Sequence, residues 1–243
     1  MKNAYAKDYY NDFLKGLPTD YKSARWFSSK ATRLDYEQTL RVLKYALGSQ
    51  TFEDVLEIGP GDGVWTDLLI PRTERLTLLD QSVEMLNRAK DRLKDNKKIS
   101  FVLSDFLAYS TEQKYDLIFA IRCFEYFEDK DVAIKKMIDL LNPGGKLVLI
   151  TKNPEHIKMA EVQKQELHKG QISKLEMLDL LSDNGFTDTE VLSATWRLKA
   201  RYFPMRILFQ AMHKLHVFTK GTFKLPVLTR LLSESYLYVS EKK

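Results

Sequence analysis

Short apolar runs alternate with segments of helical periodicity over most of the chain. Runs of strand length, which are typical of buried parallel strands, occupy residues 55–58, 75–80 and 99–103, and a further strand is predicted at 186–196. Apolar residues at helical spacing, with capping residues at their ends, predict helices over 34–47, 82–93, 129–141 and 173–184. Strand, loop and helix alternate in this way in a doubly wound α/β fold with a parallel sheet.

The loop after the first predicted strand has glycine at every second position, Gly59, Gly61 and Gly63. Glycine adopts positive φ angles and lets the backbone approach a ligand without a Cβ in between. A dinucleotide fingerprint places its third glycine three residues after the second, where this chain has Val64. This departure argues against a nicotinamide-dependent dehydrogenase.

An acid, Asp80, ends the second predicted strand, 21 residues after Gly59. A carboxylate at that strand tip is placed to accept hydrogen bonds from both ribose hydroxyls of an adenosine ligand. The alternative is that Asp80 acts as a helix cap ahead of Ser82. In a doubly wound sheet the ligand lies beyond the carboxyl ends of the strands, and both motifs fall at that edge.

Five segments, in order and spacing, resemble the motifs of the class I S-adenosylmethionine (SAM)-dependent methyltransferases. Glu57-x-Gly59-x-Gly61-x-Gly63 resembles motif I of that family, and Asp80 follows at the tip of strand two. The remaining segments are Ser104-Asp105-Phe106, the strand 115–121 with its loop 122–126, and the turn and strand at 141–150. The resemblance covers residues 53 to 195. It implies a mostly parallel seven-stranded sheet with helices on both faces, whose antiparallel last strand (235–240) lies beside strand six.

The resemblance also implies SAM as the cofactor and assigns the residues that bind it. It places Glu57 at the amino group of the methionine moiety, Asp80 at the ribose, and Asp105 with Phe106 at the adenine. The other predicted cofactor contacts are Gly59, Gly61, Gly63, Gln81, Met85 and Arg122. We expect no metal site, because the acids are scattered over single strand ends.

Three residues are candidates for acid–base or acceptor contacts in methyl transfer. A hydroxyl acceptor needs a general base, whereas an amine or activated carbon often does not. His156 is the histidine predicted on an active-edge loop, although an ordinary exposed loop histidine is the alternative. Glu125 lies where related enzymes frequently have Glu-His, but here Tyr126 follows it. Tyr10 belongs to an aromatic N-terminal segment that we expect to form a helical lid.

The chain divides into four predicted parts of a single domain. These are an N-terminal helical lid (1–50), a SAM-binding core (51–196), a basic amphipathic insert (197–233) and the last strand (234–243). The insert holds eight of the 38 basic residues and no acid, so the rest of the chain holds 30 basic and 33 acidic residues. The net charge of +5 therefore comes from the insert.

Three interpretations of the insert remain open. It forms a lid packed over the substrate pocket, an interfacial helix on an anionic membrane, or a nucleic-acid-binding patch. Apolar residues at helical spacing favour the lid and the interfacial helix, because binding to phosphates alone needs no large apolar surface. The insert residues at that spacing are Met205, Leu208, Phe209, Met212 and Leu215.

Length and composition exclude several classes of protein. A chain of 243 residues with 44% hydrophobic residues suits one large α/β domain, and its single cysteine, Cys123, excludes an internal disulfide. We expect a cytoplasmic protein, because no signal-peptide h-region or membrane-spanning apolar run is present. Association with a membrane surface through the insert is compatible with that location.

The predicted function is methyl transfer from SAM to an oxygen atom of a small-molecule or lipid-linked acceptor. One alternative is an RNA or other nucleic-acid methyltransferase, although Arg122–Glu125 stand where an Asn-Pro-Pro-Tyr-type signature is expected. The other is a non-catalytic SAM-binding protein. The acceptor and the oligomeric state are not predicted by these patterns.

Overall fold

The computed structural model describes residues 20–94, 96–156, 170–197, 203–219 and 232–243. These residues form one seven-stranded sheet in the order β3-β2-β1-β4-β5-β7-β6. Strands β1 to β5 pair in parallel, and β7 is antiparallel to both of its neighbours. The strands are β1 (Phe52–Ile58), β2 (Thr73–Asp80), β3 (Ile99–Leu103), β4 (Tyr115–Ile121), β5 (Leu141–Lys152), β6 (Phe186–Trp196) and β7 (Ser233–Lys242). The predicted fold class and the insertion of the last strand beside β6 are confirmed.

Helices cover both faces of the sheet. They are α1 (Tyr21–Trp26), α2 (Lys30–Leu47), α3 (Thr66–Leu69), α4 (Val83–Leu93), α5 (Lys130–Leu140), α6 (Lys174–Asp183) and α7 (Phe203–Phe218), with short 3-10 turns at Ile70–Arg72 and Phe124–Tyr126. Hydroxyl or carboxylate side chains cap α2, α4, α5 and α6, as the sequence predicts for the last three. None of the described helices is long and apolar enough to cross a membrane.

The side chains of successive residues in each central strand pack into two separate hydrophobic cores. Val55 and Leu117 face the core built with α2 and α3, whereas Leu56 and Ile118 face the core built with α5 and α6. This alternation follows from the pleat of a strand that is buried on both faces. The two cores hold the strands in register, which sets the positions of the loops at their carboxyl ends.

The structure moves three predicted boundaries. Helix α2 begins at Lys30 rather than Leu34, because Ser29 and Thr32 form a reciprocal capping box. The helix after the glycine loop begins at Thr66 rather than near Val64, because the Gly63 N–H bonds the Pro60 carbonyl in a turn. Strand β5 continues two residues beyond the predicted Ile150, to Lys152.

Helix α7, within the basic insert, is held against β6 by two buried histidines. The His213 Nε2 atom lies 3.1 Å from the Ser193 carbonyl oxygen, and the Ser193 N–H donates to His216 Nε2 over 3.1 Å. Strand β6 lies at the edge of the sheet, so these bonds satisfy backbone groups that have no partner strand. The remainder of the insert lies largely outside the described residues.

Candidate active site

A cavity of about 300 Å³ opens at the carboxyl ends of the central strands. One wall is formed by the loops after β1, β2 and β3, and the other by α1, the loop after β4 and the end of β5. This is the edge at which a doubly wound sheet binds its ligands. The predicted site residues that line the cavity are Gly59, Gly61, Asp80, Gln81, Met85, Asp105, Phe106, Arg122 and Glu125.

The three glycines of the loop after β1 all have positive φ but serve different purposes. A Cβ on Gly59 would lie 2.8 Å from the Cys123 Cβ, so this glycine lets the loops after β1 and β4 meet. A Cβ on Gly61 would have the Met85 sulfur, at 3.9 Å, as its nearest neighbour, which leaves the backbone open to the cavity. A Cβ on Gly63 would lie 2.8 Å from Leu93, and Gly63 does not line the cavity. Gly63 therefore permits packing against α4, whereas the sequence predicts close approach to the cofactor.

Asp80 joins the first two loops at the floor of the cavity. One carboxylate oxygen accepts from the Gly61 N–H at 3.2 Å, and the other accepts from the Ser82 N–H at 2.9 Å. Burial raises the pKa of Asp80 to about 6, against the lowering effect of these bonds. The N-cap of α4 is Ser82, not Asp80, because the Ser82 hydroxyl accepts from the Met85 N–H. Asp80 thus holds the glycine loop open towards the cavity.

Next to Asp80 the cavity wall is apolar, and a second acid lies beside this apolar surface. Met85 and Phe106 are buried in the cavity wall, and Phe106 contacts Phe127 with ring centroids 5.5 Å apart. Asp105 accepts from the Leu107 N–H at 2.7 Å, which orients its carboxylate. A flat apolar slot flanked by a carboxylate suits a planar ring that carries an amino group.

Glu57 lies away from the cavity wall and Asp62 lies on it. The buried Glu57 carboxyl accepts from the Thr66 hydroxyl at 2.7 Å, and burial raises its pKa to about 8. Asp62 is buried in the wall, and its Oδ1 atom has no hydrogen-bond partner among the described residues. Sequence reasoning missed Asp62, although its place between Gly61 and Gly63 is a usable signal.

Helix α1 contributes Tyr21, Arg25 and Trp26 to the opposite wall. Trp26 packs edge-on against Trp65 at 5.3 Å, and Trp65 in turn stacks on Tyr36 at 5.1 Å. The packing of these rings holds α1 against the end of the glycine loop. The sequence predicts an N-terminal lid but does not single out these three wall residues.

Three charged residues from the loop after β4 and the end of β5 complete this wall. Arg122 has a φ of 58°, which is unusual for a residue with a side chain, and its N–H donates to the Ile150 carbonyl at 2.7 Å. Glu125 is buried, accepts from the Thr151 hydroxyl at 3.3 Å with one oxygen, and has no described partner for the other. Lys152 was not predicted, because the sequence pattern ended β5 two residues early.

Of the predicted catalytic residues, His156 lies away from the described cavity and Tyr10 lies outside the described residues. His156 is buried with its Nε2 atom 3.1 Å from the Arg197 carbonyl oxygen, and it does not line the cavity. Its burial and its contact with the backbone directly after β6 favour a structural role over that of a base. Tyr10 and the rest of 1–19 lie outside the described residues. In the described part of the chain no three histidine, cysteine or acidic side chains are grouped to hold a metal ion.

A family model described as a methyltransferase domain matches residues 55–145, which carry the glycine loop, Asp80 and Asp105. This match supports the resemblance to the class I SAM-dependent methyltransferases over that part of the chain. It is 33% identical over 106 residues to malonyl-[acyl-carrier protein] O-methyltransferase 1 of Ilyobacter polytropus, covering 43% of this chain and 40% of that protein. It is 28% identical over 121 residues to nodulation protein S of Sinorhizobium fredii, covering 49% and 56%. The chain spans about half the length of these relatives.

Among solved structures, the methyltransferase fold is shared with the N-methyltransferase NodS from Bradyrhizobium japonicum WM9 in complex with S-adenosylhomocysteine (SAH). The two chains superpose with a TM-score of 0.61 at 23% identity, covering 91% of this chain and 97% of that one. SAM is the cofactor of this family.

The residues that line the cavity fit SAM. Gly61 leaves an open backbone beside Asp80, whose oxygens keep free lone pairs for hydroxyl donors. The unpartnered Oδ1 of Asp62 is a buried acceptor that needs a donor from a ligand. The slot at Met85 and Phe106 suits the adenine ring.

Proposed function

We propose that this methyltransferase moves the methyl group of SAM to an oxygen atom of a small-molecule or lipid-linked acceptor. The observation that carries the proposal is Glu125, a buried carboxylate on the cavity wall with one oxygen unpartnered among the described residues. SAM supplies a methyl carbon on a positively charged sulfur, which is an excellent leaving group. The protein has to align the acceptor with that carbon, and positioning of this kind contributes several kcal/mol.

Glu125 is the candidate general base for a hydroxyl acceptor. As the acceptor oxygen bonds to the methyl carbon, the carbon–sulfur bond breaks with its electron pair leaving on sulfur. The hydroxyl proton passes to the Glu125 carboxylate, so charge balances. The Thr151 hydroxyl bond orients one carboxylate oxygen and leaves the other for the acceptor.

The first experiment measures binding of SAM and SAH by calorimetry and then transfer of labelled methyl to lipid, quinol and sugar hydroxyl compounds. We expect micromolar binding of both ligands. Labelling of RNA in preference to these compounds would favour the nucleic-acid alternative. Binding without transfer to any acceptor would favour the non-catalytic alternative.

Replacing Glu125 with glutamine is expected to lower kcat by about 100-fold with a hydroxyl acceptor that the screen identifies. Glutamine keeps the size and the hydrogen bond from Thr151 but does not accept the proton. The Kd for SAM should remain within about twofold, since Glu125 acts on the acceptor. Glu112→Gln, on an exposed loop, is the control. An unchanged kcat for Glu125→Gln would show that the acceptor needs no base here.

A lipid-linked acceptor is supported by the surface of α7. Leu208 and Phe218 are 55% and 84% exposed, although both are large apolar side chains. On the same helix, an apolar groove of about 710 Å³ lies between α7 and the start of α2, with Lys30, Arg33 and Lys214 along it. Apolar side chains among cations suit an anionic membrane surface. We propose that this face gives a cytoplasmic protein its contact with membranes.

Replacing both Leu208 and Phe218 with aspartate is expected to reduce flotation with phosphatidylglycerol vesicles about tenfold, because buried apolar area is lost and charge is added. Leu175→Asp, at a side chain that is 70% exposed on α6, is the matched control. The wild type should float with phosphatidylglycerol and not with neutral phosphatidylcholine. Flotation that is indifferent to acidic lipid would contradict the proposal.

A further inference from the structure

Three basic residues meet on one wall of the cavity, and we define Arg25, Arg122 and Lys152 as the basic cluster. They come from α1, the loop after β4 and the end of β5. Both guanidinium groups lie against Trp26, with their central carbons 4.4 Å (Arg25) and 5.5 Å (Arg122) from its ring centroid. The structure thus gathers three like charges in one small space, an arrangement that is unfavourable without a counter-ion.

The described carboxylates do not pair with the basic cluster. The nearby acids Asp35 and Glu234 both form ion pairs with Arg197, at 2.9 and 3.2 Å. No ion pair within 4 Å joins a described acid to any member of the basic cluster. Among the described residues, Glu125 is the one carboxylate that lines the same wall. The lining residues of this wall therefore carry more positive than negative charge, and Glu234 and Asp35 offset part of the effect on Arg122 from outside the lining.

The surroundings of Arg122 and Lys152 are built to receive an anion. Arg122 Nε is buried and has no hydrogen-bond partner in the described structure, and its terminal nitrogen reaches two hydroxyls only at 3.5 Å. Burial lowers the pKa of Lys152, the charge of Glu125 raises it and the charge of Arg122 lowers it, with smaller effects from Glu234 (raising) and Arg25 (lowering). An anion in the cavity would partner Arg122 and remove the repulsion among the three cations.

The cofactor alone does not supply the missing charge. SAM brings one carboxylate together with an ammonium and a sulfonium group, so it carries a net positive charge. Its carboxylate can partner one member of the basic cluster and leaves the others without an ion pair. A negative group on the other substrate would provide an ion pair for the remaining members.

We infer that the methyl acceptor carries an anionic group, a carboxylate or a phosphate, which binds beside Arg122 and Lys152. This inference rests on the proposed function and names its substrate class. The anionic group holds the acceptor on the wall that also carries Glu125, so that a hydroxyl of the same molecule can reach the base. Lys152 is a specificity residue in this scheme, because it selects the acceptor and does not transfer a proton.

The test uses the full chain saturated with SAH, which already supplies the cofactor's own carboxylate. Binding of malonate, inorganic phosphate and neutral malonamide is measured by calorimetry on that complex. We expect malonate or phosphate to bind at least about tenfold more tightly than malonamide, and the stronger of the two identifies the acceptor's group. Binding of neither anion to the SAH complex would overturn the inference while leaving the proposed function intact. Failure of SAH itself to bind would instead overturn the proposed function.

Lys152 variants separate recognition from folding. Lys152→Met should weaken binding of the anion about tenfold, and Lys152→Arg should restore most of it, because only the charge is missing in the first. Lys135→Met, at an exposed lysine of α5, should have no effect. Binding of SAH by each variant reports that the site is folded. Equal anion binding by wild type and Lys152→Met would overturn the inference.

Discussion

Alanine in place of Asp80 is expected to raise the Kd for SAM by about 100-fold. Hydrogen bonds to a charged carboxylate contribute roughly 1.5–3 kcal/mol each, and the variant loses those that Asp80 can offer to a ribose. It also loses the bond that Asp80 accepts from the Gly61 N–H, so the glycine loop is no longer held open. Calorimetric titration with SAM and SAH gives both constants directly.

Asp80→Asn refines this prediction. An asparagine side chain offers one oxygen and one amide nitrogen, so it can accept from only one of the two backbone N–H groups that Asp80 now serves. Its Kd for SAM should lie between the wild-type and alanine values. Asp139→Ala, at an exposed acid of α5, is the control and should bind SAM as the wild type does. A wild-type Kd for Asp80→Ala would contradict the assignment of the ribose site.

The free energy of unfolding should fall by up to about 4 kcal/mol as the pH falls from about 6.5 towards 3, because of His213. This side chain is fully buried, and burial lowers its pKa to about 3, with a smaller contribution from the charge of Arg41. The folded protein therefore binds fewer protons than the unfolded chain across this interval. The stabilising contribution is complete above the unfolded pKa and is lost as the pH falls to the folded pKa.

The hydrogen bonds of His213 also predict that the protein loses stability as the pH falls. Arg41 donates to His213 Nδ1 over 2.8 Å, so this nitrogen must be unprotonated, while Nε2 donates to the Ser193 carbonyl. A protonated imidazole loses the bond from Arg41 and places two cations side by side. His216, with a pKa also lowered by burial and then by Lys174, lies 6.4 Å away and adds to the repulsion when charged. Acid should therefore loosen α7 from β6 first.

His213→Gln isolates this effect in chemical denaturation at several pH values. Glutamine can accept from Arg41 and donate to Ser193 without titrating, so the variant should lose about 2 kcal/mol less than the wild type between about pH 7.5 and pH 5. Glu57 and Asp80 have raised pKa values and act in the opposite direction, but they are common to both proteins. Parallel pH profiles for the two proteins would contradict the prediction.

The sheet and its helices could be predicted because the sequence patterns that specify them, apolar runs and helix caps, are local. Each parallel strand, such as Tyr115–Ile121, is an apolar run that ends at a polar loop, and each cap, such as Ser173 with Glu176, lies within a few residues of its helix. The carboxyl ends of parallel strands meet at one edge. Asp80 and Asp105 therefore come together in the structure, although 25 positions separate them in the chain.

The direction of individual side chains is set by tertiary packing, which the sequence alone does not specify. His156 follows β5 at the active edge, but it is buried there with its Nε2 atom at the Arg197 carbonyl oxygen. Gly63 belongs to the glycine loop, yet Leu93 of α4 occupies the space that a Cβ would need. Arg25 lies at the cavity next to Trp26, and Trp26 packs against Trp65 in a contact between two distant parts of the chain.

The position of β7 in the sheet has a consequence for the order in which the chain can fold. Strand β6 pairs only with β7 in the described sheet, and β7 also closes the exposed edge of β5. Until Ser233–Lys242 has left the ribosome, β6 has no strand to bind and β5 remains an open edge. Pairings between residues as distant as Lys146 and Glu241 form slowly, because they close a long loop. The strands of the SAM-binding part are therefore synthesised before the wall that holds Lys152 can be completed. During that interval the open edge of β5 needs protection from edge-to-edge association with other chains.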